Sequence, residues 1–180
     1  MKAVLDACVI FPTVLREILL GVAKVGLYEP LWSERILREW VLATSKLGPV
    51  AQLQAEGETA VLKSQFPKAM LRDQPDIERR LLLPDPDDRH VLAVAIAGHA
   101  DCIVTFNAKD FPRHALADEG IDRRDPDSLL WELWSGQPDK VAKVVTEVHA
   151  TAERMAGQDL PLKALLKRAQ LPKLGKALGV

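Results

Sequence analysis

The sequence predicts an α/β fold: a three-layer α/β/α domain with a central parallel sheet, continued by a C-terminal helical extension. Three observations predict it. Short apolar runs suited to buried strands alternate with amphipathic helical patterns. Helix punctuation recurs, with Pro or a capping residue at the starts and Gly at the stops. Aspartates and polar residues fall where strands end, the position at which such sheets bind ligands.

The elements follow in order. Residues 2–5, with 7–10 after Asp6, form an apolar run that reads as a buried strand. Pro12 opens a helical pattern to about Lys24, with Leu15, Ile18, Leu19 and Val22 on one face; Pro loses no hydrogen bond in a first turn. Gly26 ends it, and LYEPLW reads as an extended connector. Ser33 is the expected N-cap of a helix to about Ser45, with Ile36, Leu37, Trp40 and Val41 as its stripe and Glu39 at the border. A weaker helical region spans about 50–65, and a short helix is expected over Asp76–Leu81. Asp85 is a plausible N-cap, followed by Pro86 and, in the first turn, Asp87 and Asp88. Val91–Ala97 is apolar all round, so its helix should be buried on most sides. Asp101–Thr105 reads as a strand and Ile121–Arg124 as a weak last one. A helix starts near Pro126, GQPD (136–139) looks like a linker, and helical segments follow over about 139–156 and 161–178. The expected division is therefore 1–135 for the α/β domain and 136–180 for the extension. There is no internal repeat and no low-complexity tract.

Composition bounds the function. The chain has 180 residues, 48% hydrophobic and 27% charged, enough for one well-cored domain. Its net charge of −1 gives no global case for or against nucleic acid. The distribution is uneven. Five basic residues (Lys163, Lys167, Arg168, Lys173, Lys176) and no acid lie between Leu160 and Val180, leaving 19 basic against 25 acidic residues elsewhere. Such a run is ordinarily a solvated helical face; its functional alternative is a basic arm that touches phosphate or an acidic partner. Cys8 and Cys102 are expected to be reduced, buried thiols of a cytoplasmic protein without a signal peptide. No apolar run approaches membrane-spanning length, so no membrane partner is expected. The four histidines lack zinc-type spacing with the cysteines, and only His90 lies near the acidic segment.

That segment, LPDPDDRHVLAVAIAGHADCIVTFNAKDF, concentrates negative charge at the mouth of an apolar helix. Taken alone, Asp88 is a helix-capping acid and Glu39 a surface residue. As a set with Asp6 they mean more. Carboxylates converging on one point raise one another's pKa, and a fold avoids that unless a cation is intended. Oxygen-only ligands favour Mg²⁺ or Mn²⁺ over zinc. Such an ion activates water and stabilises charge on a phosphoryl centre.

MKAVLDACVIFP, WSERILREW and LPDPDDRHVLAVAIAGHADCIVTFNAKDFP together resemble the successive motifs of the PIN domain family, from residue 1 to about 125. These are small metal-dependent ribonuclease domains, and they include toxins of the VapC type in toxin–antitoxin systems. The resemblance implies an endoribonuclease that hydrolyses RNA phosphodiester bonds with Mg²⁺ or Mn²⁺. By position, Asp6, Glu39 and Asp88 match the first three family acids. The fourth falls either to Asp110 or, through water, to Asn107, which stands where the family places an acid or Asn. Thr105 matches a hydroxyl that orients the site. Asp85 and Asp87 are left as capping or supporting residues. RNA as substrate, a cognate antitoxin and a homodimer are further implications. Arg16, Arg35, Arg38, Arg89 and Lys109 are candidates to meet phosphates, and the four tryptophans read as core or interface residues. A haloacid-dehalogenase phosphatase would want an acid at position 8, where Cys8 stands, and a receiver domain would want an acidic pair that is missing. An inactive PIN-fold scaffold is the remaining alternative, kept open by Asn107.

Overall fold

The computed structural model describes all residues from Met1 to Val180. Five parallel strands form one sheet in the order β3-β2-β1-β4-β5. They are β1 (Lys2–Leu5), β2 (Glu29–Ser33), β3 (Met70–Leu71), β4 (Cys102–Val104) and β5 (Asp122–Arg124). The helices are α1 (Ala7–Ile10), α2 (Thr13–Lys24), α3 (Glu34–Thr44), α4 (Pro49–Gln65), α5 (Pro75–Arg80), α6 (Arg89–Ala97), α7 (Arg113–Ala117), α8 (Pro126–Gly136), α9 (Pro138–Ala156), α10 (Leu162–Arg168) and α11 (Pro172–Ala177). The α/β class, the parallel sheet with flanking helices and the C-terminal helices are as the sequence predicts. By contact density the chain groups into two units that interleave in sequence. One comprises Met1–Phe11 and Glu29–Arg124; the other comprises Pro12–Tyr28 and Asp125–Val180. The division expected at residue 135 is linear by contrast.

The first unit holds the whole sheet. Ala3, Val4 and Leu5 of β1 and Cys102, Ile103 and Val104 of β4 are at most 1% exposed, as central strands of a parallel sheet must be. The chain leaves β1 toward β2 and β3 on one side, then returns to place β4 and β5 on the other. The boundary between β1 and β4 is thus the topological switch point, where adjacent strands lead away in opposite directions and leave a crevice. Helix α6 packs against both of these strands, and Val91–Ala95 are fully buried, as its all-apolar sequence requires. Ser33 caps α3 by accepting the Ile36 N–H at 3.3 Å, and Ile36, Leu37 and Trp40 turn inward.

Three local expectations are corrected. Residues 7–10 do not extend the first strand: β1 stops at Leu5, and Ala7–Ile10 make one helical turn after the extended Asp6. LYEPLW is no connector, because Glu29–Ser33 is an interior strand. GQPD is no linker either, since only Gln137 separates α8 from α9.

The second unit is helical. Helix α2 packs on α9, and α8 packs on both α9 and α11. Gly21 makes the first contact close: a Cβ there would stand 2.5 Å from Val144 Cγ1. Helix propensity favours Ala over Gly by about 1 kcal/mol, whereas overpacking costs about 1–3 kcal/mol. The overpacking term should win. Gly21→Ala is expected to lower the melting temperature by a few degrees, and adding Val144→Ala should recover part of the loss, as read by thermal melts of the single and double variants. A second device ties α11 to α8. The buried carboxylate of Asp127 accepts the backbone N–H groups of Lys173 at 2.8 Å and Leu174 at 3.0 Å.

Candidate active site

Asp6 follows β1 directly, and Thr105 and Asn107 follow β4, so the switch point brings their side chains to the carboxyl ends of adjacent strands. Asp6 is 6% exposed. Its Oδ2 accepts hydrogen bonds from the Thr105 hydroxyl at 2.6 Å and the Cys8 thiol at 3.1 Å. With its proton committed to Asp6, Thr105 Oγ1 accepts the Asn107 N–H at 2.9 Å. The Asn107 side-chain amide in turn donates to Asp88 Oδ2 at 3.1 Å. A continuous chain of hydrogen bonds therefore runs from Asp6 through Thr105 and Asn107 to Asp88.

Asp88 ends a 3₁₀ turn (Pro86–Asp88) that leads into α6. Asp85 caps that turn by accepting the Asp87 N–H at 2.9 Å. Carboxylate oxygens of Asp85, Asp88 and Asp110 lie within 4.8 Å of one another. Asp110 is carried by the loop after β4. That loop is pinned from β5, where the Arg123 guanidinium donates to the carbonyls of Ala108 and, at 3.0 Å, Phe111. The ring of Phe111 is fully buried and anchors the same loop.

The electrostatics show strain. Asp88 is half-buried, and its carboxyl is pushed up from an ordinary 3.8 to about 6. Burial is the main cause, followed by the negative charges of Asp6, Asp85 and Asp110; His90 acts the other way. The Cys8 thiol is pushed up to about 12, first by burial and then by Asp6. In the metal-free protein it is a neutral donor at physiological pH. Cys102 is raised to about 11, chiefly by burial. Both cysteines are free, and Cys102 is buried as expected, but Cys8 is only half-buried, at the edge of the site.

The raised Asp88 carboxyl has a consequence for the metal-free protein. A folded-state pKa above the unfolded one means that the fold prefers the protonated acid. The penalty from this group is absent below about pH 3.8, grows toward about pH 6 and is constant above. Asp88→Asn removes it. In EDTA the variant should match the wild type near pH 4 and exceed it above pH 6 by about 1 kcal/mol, a value reduced for the solvent the carboxylate still meets. Urea unfolding at a series of pH values reads this gap directly.

Glu39 behaves differently from the aspartates. Its Oε1 lies 2.8 Å from His90 Nε2 and 3.5 Å from Arg35 Nε. His90 Nε2 makes no directed hydrogen bond, so the two groups are in close polar contact only. Arg35 also binds Glu78 at 3.0 Å. The structure thus links Glu39 to α6 through His90 but does not place it in the three-aspartate group. Of the basic candidates, Arg16 is buried at 4% exposure, and Arg35 is held by Glu39 and Glu78. Lys109 is exposed on the loop that carries Asp110.

Asp85 is the residue the sequence reading undervalued. Its spacing to Pro86 signals a cap, and it is one, but the tight 3₁₀ turn also brings its second role within reach. Arg123 could not have been found from sequence, because its carbonyl partners lie 12 and 15 residues away in a loop of irregular shape.

The parallel sheet and the aspartates clustered at its switch point define an α/β domain with carboxylates placed where such folds bind ligands. The PIN domain family profile matches residues 2–109, and the chain belongs to that family. PIN domains are typically metal-dependent nucleases. The matched region carries Asp6, Glu39, Asp85, Asp88, Thr105 and Asn107 and stops one residue before Asp110. A search of curated proteins and a search of solved structures returned no match. No helix is long and apolar enough to cross a membrane.

Proposed function

We propose that this chain is a Mg²⁺- or Mn²⁺-dependent endoribonuclease. The observation that carries the reading is the carboxylate group of Asp85, Asp88 and Asp110, with Asp6 near enough to raise Asp88 further. The donors fit a hard divalent ion, since all are carboxylate oxygens and the one neighbouring sulfur is a protonated thiol. Asp88, Asp110 and Asp85 would hold the ion, with Asp6 beside them; bound there, it supplies charge neutralisation at the scissile phosphate and activation of water.

The chain's own residues do the rest. Thr105 fixes the carboxylate of Asp6 and so orients it toward the crevice. Asn107 holds one oxygen of Asp88 and leaves the other free. Asn107 is therefore a positioning residue, and the fourth acid is Asp110. Glu39 restrains His90 and Arg35 at the rim and enters this reading as a support of α6. Cys8 shares the load on Asp6 Oδ2 and keeps it from turning away.

Within this reading the chain acts as the toxin of a toxin–antitoxin pair, works as a homodimer and resides in the cytoplasm. The toxin role and the homodimer rest on the family alone, and the compartment on the two free cysteines. The scaffold reading draws on one observation: Glu39 is taken up by His90 and Arg35 and is withheld from the aspartates.

Incubation of the purified chain with a mixed single-stranded RNA pool, with Mg²⁺ or Mn²⁺ and with EDTA, separates the two. The nuclease reading expects cleavage with the ions and none with EDTA. A well-folded chain, free of any co-purified inhibitor, that leaves the pool intact under both conditions favours the scaffold. Growth arrest on induced expression, lost in Asp88→Asn, tests the toxin role.

A further inference from the structure

Within the helical unit, Trp131 and Trp134 of α8 and Lys173, Lys176 and Ala177 of α11 line an open cavity of about 610 Å³. We propose that this cavity is a second RNA contact site, in which the indoles stack bases of a single strand and the ammonium groups meet its phosphates. It shares no residue with the acidic site.

The four tryptophans divide sharply. Trp32 and Trp40 are 0% and 1% exposed and belong to the core of the sheet unit, whereas Trp131 is 47% exposed. A spacing of three residues puts Trp131 and Trp134 on one face of α8, and the same spacing puts Lys173 and Lys176 on one face of α11. The two helices are locked in register by the Asp127 carboxylate on the Lys173 and Leu174 N–H groups. The Lys173 ammonium is steadied by the Ser128 hydroxyl at 2.6 Å. The helix faces that carry the aromatic and cationic side chains, and the Lys173 ammonium, are therefore held before any ligand arrives.

Charge points to an anion. Lys163, Lys167, Arg168, Lys173 and Lys176 are all exposed, and no acid lies between Leu160 and Val180; only Lys173 meets acids at the start of α8, where Asp127 accepts its backbone N–H and Asp125 feels its charge. None of the five sits in an ion pair, whereas Arg35, Lys63, Arg79, Arg80 and Arg113 of the sheet unit all do. Single-stranded nucleic acid meets both halves of the cavity with one repeating unit, a base for each indole and a phosphate for each ammonium. An acidic peptide meets the cations but leaves the indoles unmatched unless apolar side chains fall at the same spacing. The choice of RNA as the nucleic acid rests on the proposed ribonuclease function.

The test is binding of a fluorescein-labelled 12-nucleotide single-stranded RNA of mixed sequence to the full chain, read by anisotropy in EDTA so that no cleavage intervenes. Trp131→Ala should weaken binding about tenfold or more, and Trp131→Phe should retain most of it, since stacking needs a ring and not an indole N–H. Lys176→Gln should reduce the slope of log affinity against log salt by about one phosphate contact. Both side chains are exposed, and unchanged melting curves establish that the variants fold. No measurable binding by the wild type, or affinity and salt slope unmoved by the substitutions, overturns the proposal. So does a glutamate-rich peptide that displaces the RNA at equal charge concentration, or a Trp131→Ala variant that changes oligomeric state and not RNA affinity. Metal-dependent cleavage without a Trp131 effect on binding overturns this site and leaves the nuclease reading standing. Binding that depends on Trp131, without cleavage of any RNA, does the reverse.

Discussion

Asp88→Asn is expected to reduce metal-dependent RNA cleavage by about 100-fold or more while leaving the fold intact. The substitution is nearly isosteric. The new amide oxygen can still accept from the Asn107 side chain, which now contacts Asp88 Oδ2 at 3.1 Å. What disappears is the charge at the centre of the carboxylate group. Asp87→Asn is the matched control. It removes the same charge one residue earlier, from an exposed side chain that is not among the three clustered carboxylates. Its activity should stay within a few-fold of wild type. Equal losses from both variants would mean that the overall field of the acidic turn matters and not the position of Asp88. The measurement is initial cleavage rate on one RNA at saturating Mn²⁺, with melting curves alongside.

The largest expected effect on stability lies in the helical unit. Asp127 is 5% exposed and accepts two backbone N–H groups at the start of α11. Hydrogen bonds to a charged acceptor contribute about 1.5–3 kcal/mol each, and a buried N–H left without a partner costs a similar amount. Asp127→Ala should therefore cost about 3–5 kcal/mol. For a chain of this length that corresponds to a fall in melting temperature of about 10 °C. Asp127→Asn keeps an acceptor oxygen and should lose roughly half as much. A loss under about 1 kcal/mol for Asp127→Ala would show that α11 is held by its apolar contacts alone.

What the sequence made legible, and what it did not, follows from the range of the interactions. Asp6 and Asp88 were legible because each sits at a local boundary, one at the end of a β-patterned run and the other at the head of an apolar helix. Helix α6 was legible for the same reason, since its burial is written in Val91–Ala97. Strand β2 was hidden by Pro30, which ordinarily excludes an interior strand. It is tolerated because β3 pairs only with Trp32 and Ser33, so the edge of β2 at Pro30 has no neighbour to bond. Residues 7–10 have strand-like composition, but the sheet ends at Asp6, whose N–H bonds Val104 O at 3.1 Å, and the chain turns there.

The site itself was legible in part. Three aspartates near Pro86 announced charge without announcing geometry, and only the 3₁₀ turn shows why Asp85 joins Asp88. Glu39 carried the right residue type and spacing. Its engagement by His90 depends on how α3 and α6 approach one another, which no local pattern encodes. The grouping of Pro12–Tyr28 with Asp125–Val180 is likewise a matter of long-range contact. Trp131 was read with the other tryptophans as a core or interface residue, and its 47% exposure, which chooses between the two, depends on how α8 packs.

The central claim is that the aspartates at the switch point form a divalent cation site. Calorimetric titration of the metal-free chain with Mn²⁺ at pH 7.5 tests it most directly, with Asp88→Asn and Asp87→Asn in parallel. The account predicts saturable binding by the wild type and Asp87→Asn, and its loss in Asp88→Asn. No saturable binding by the folded wild type, or the same binding by all three proteins, would contradict it.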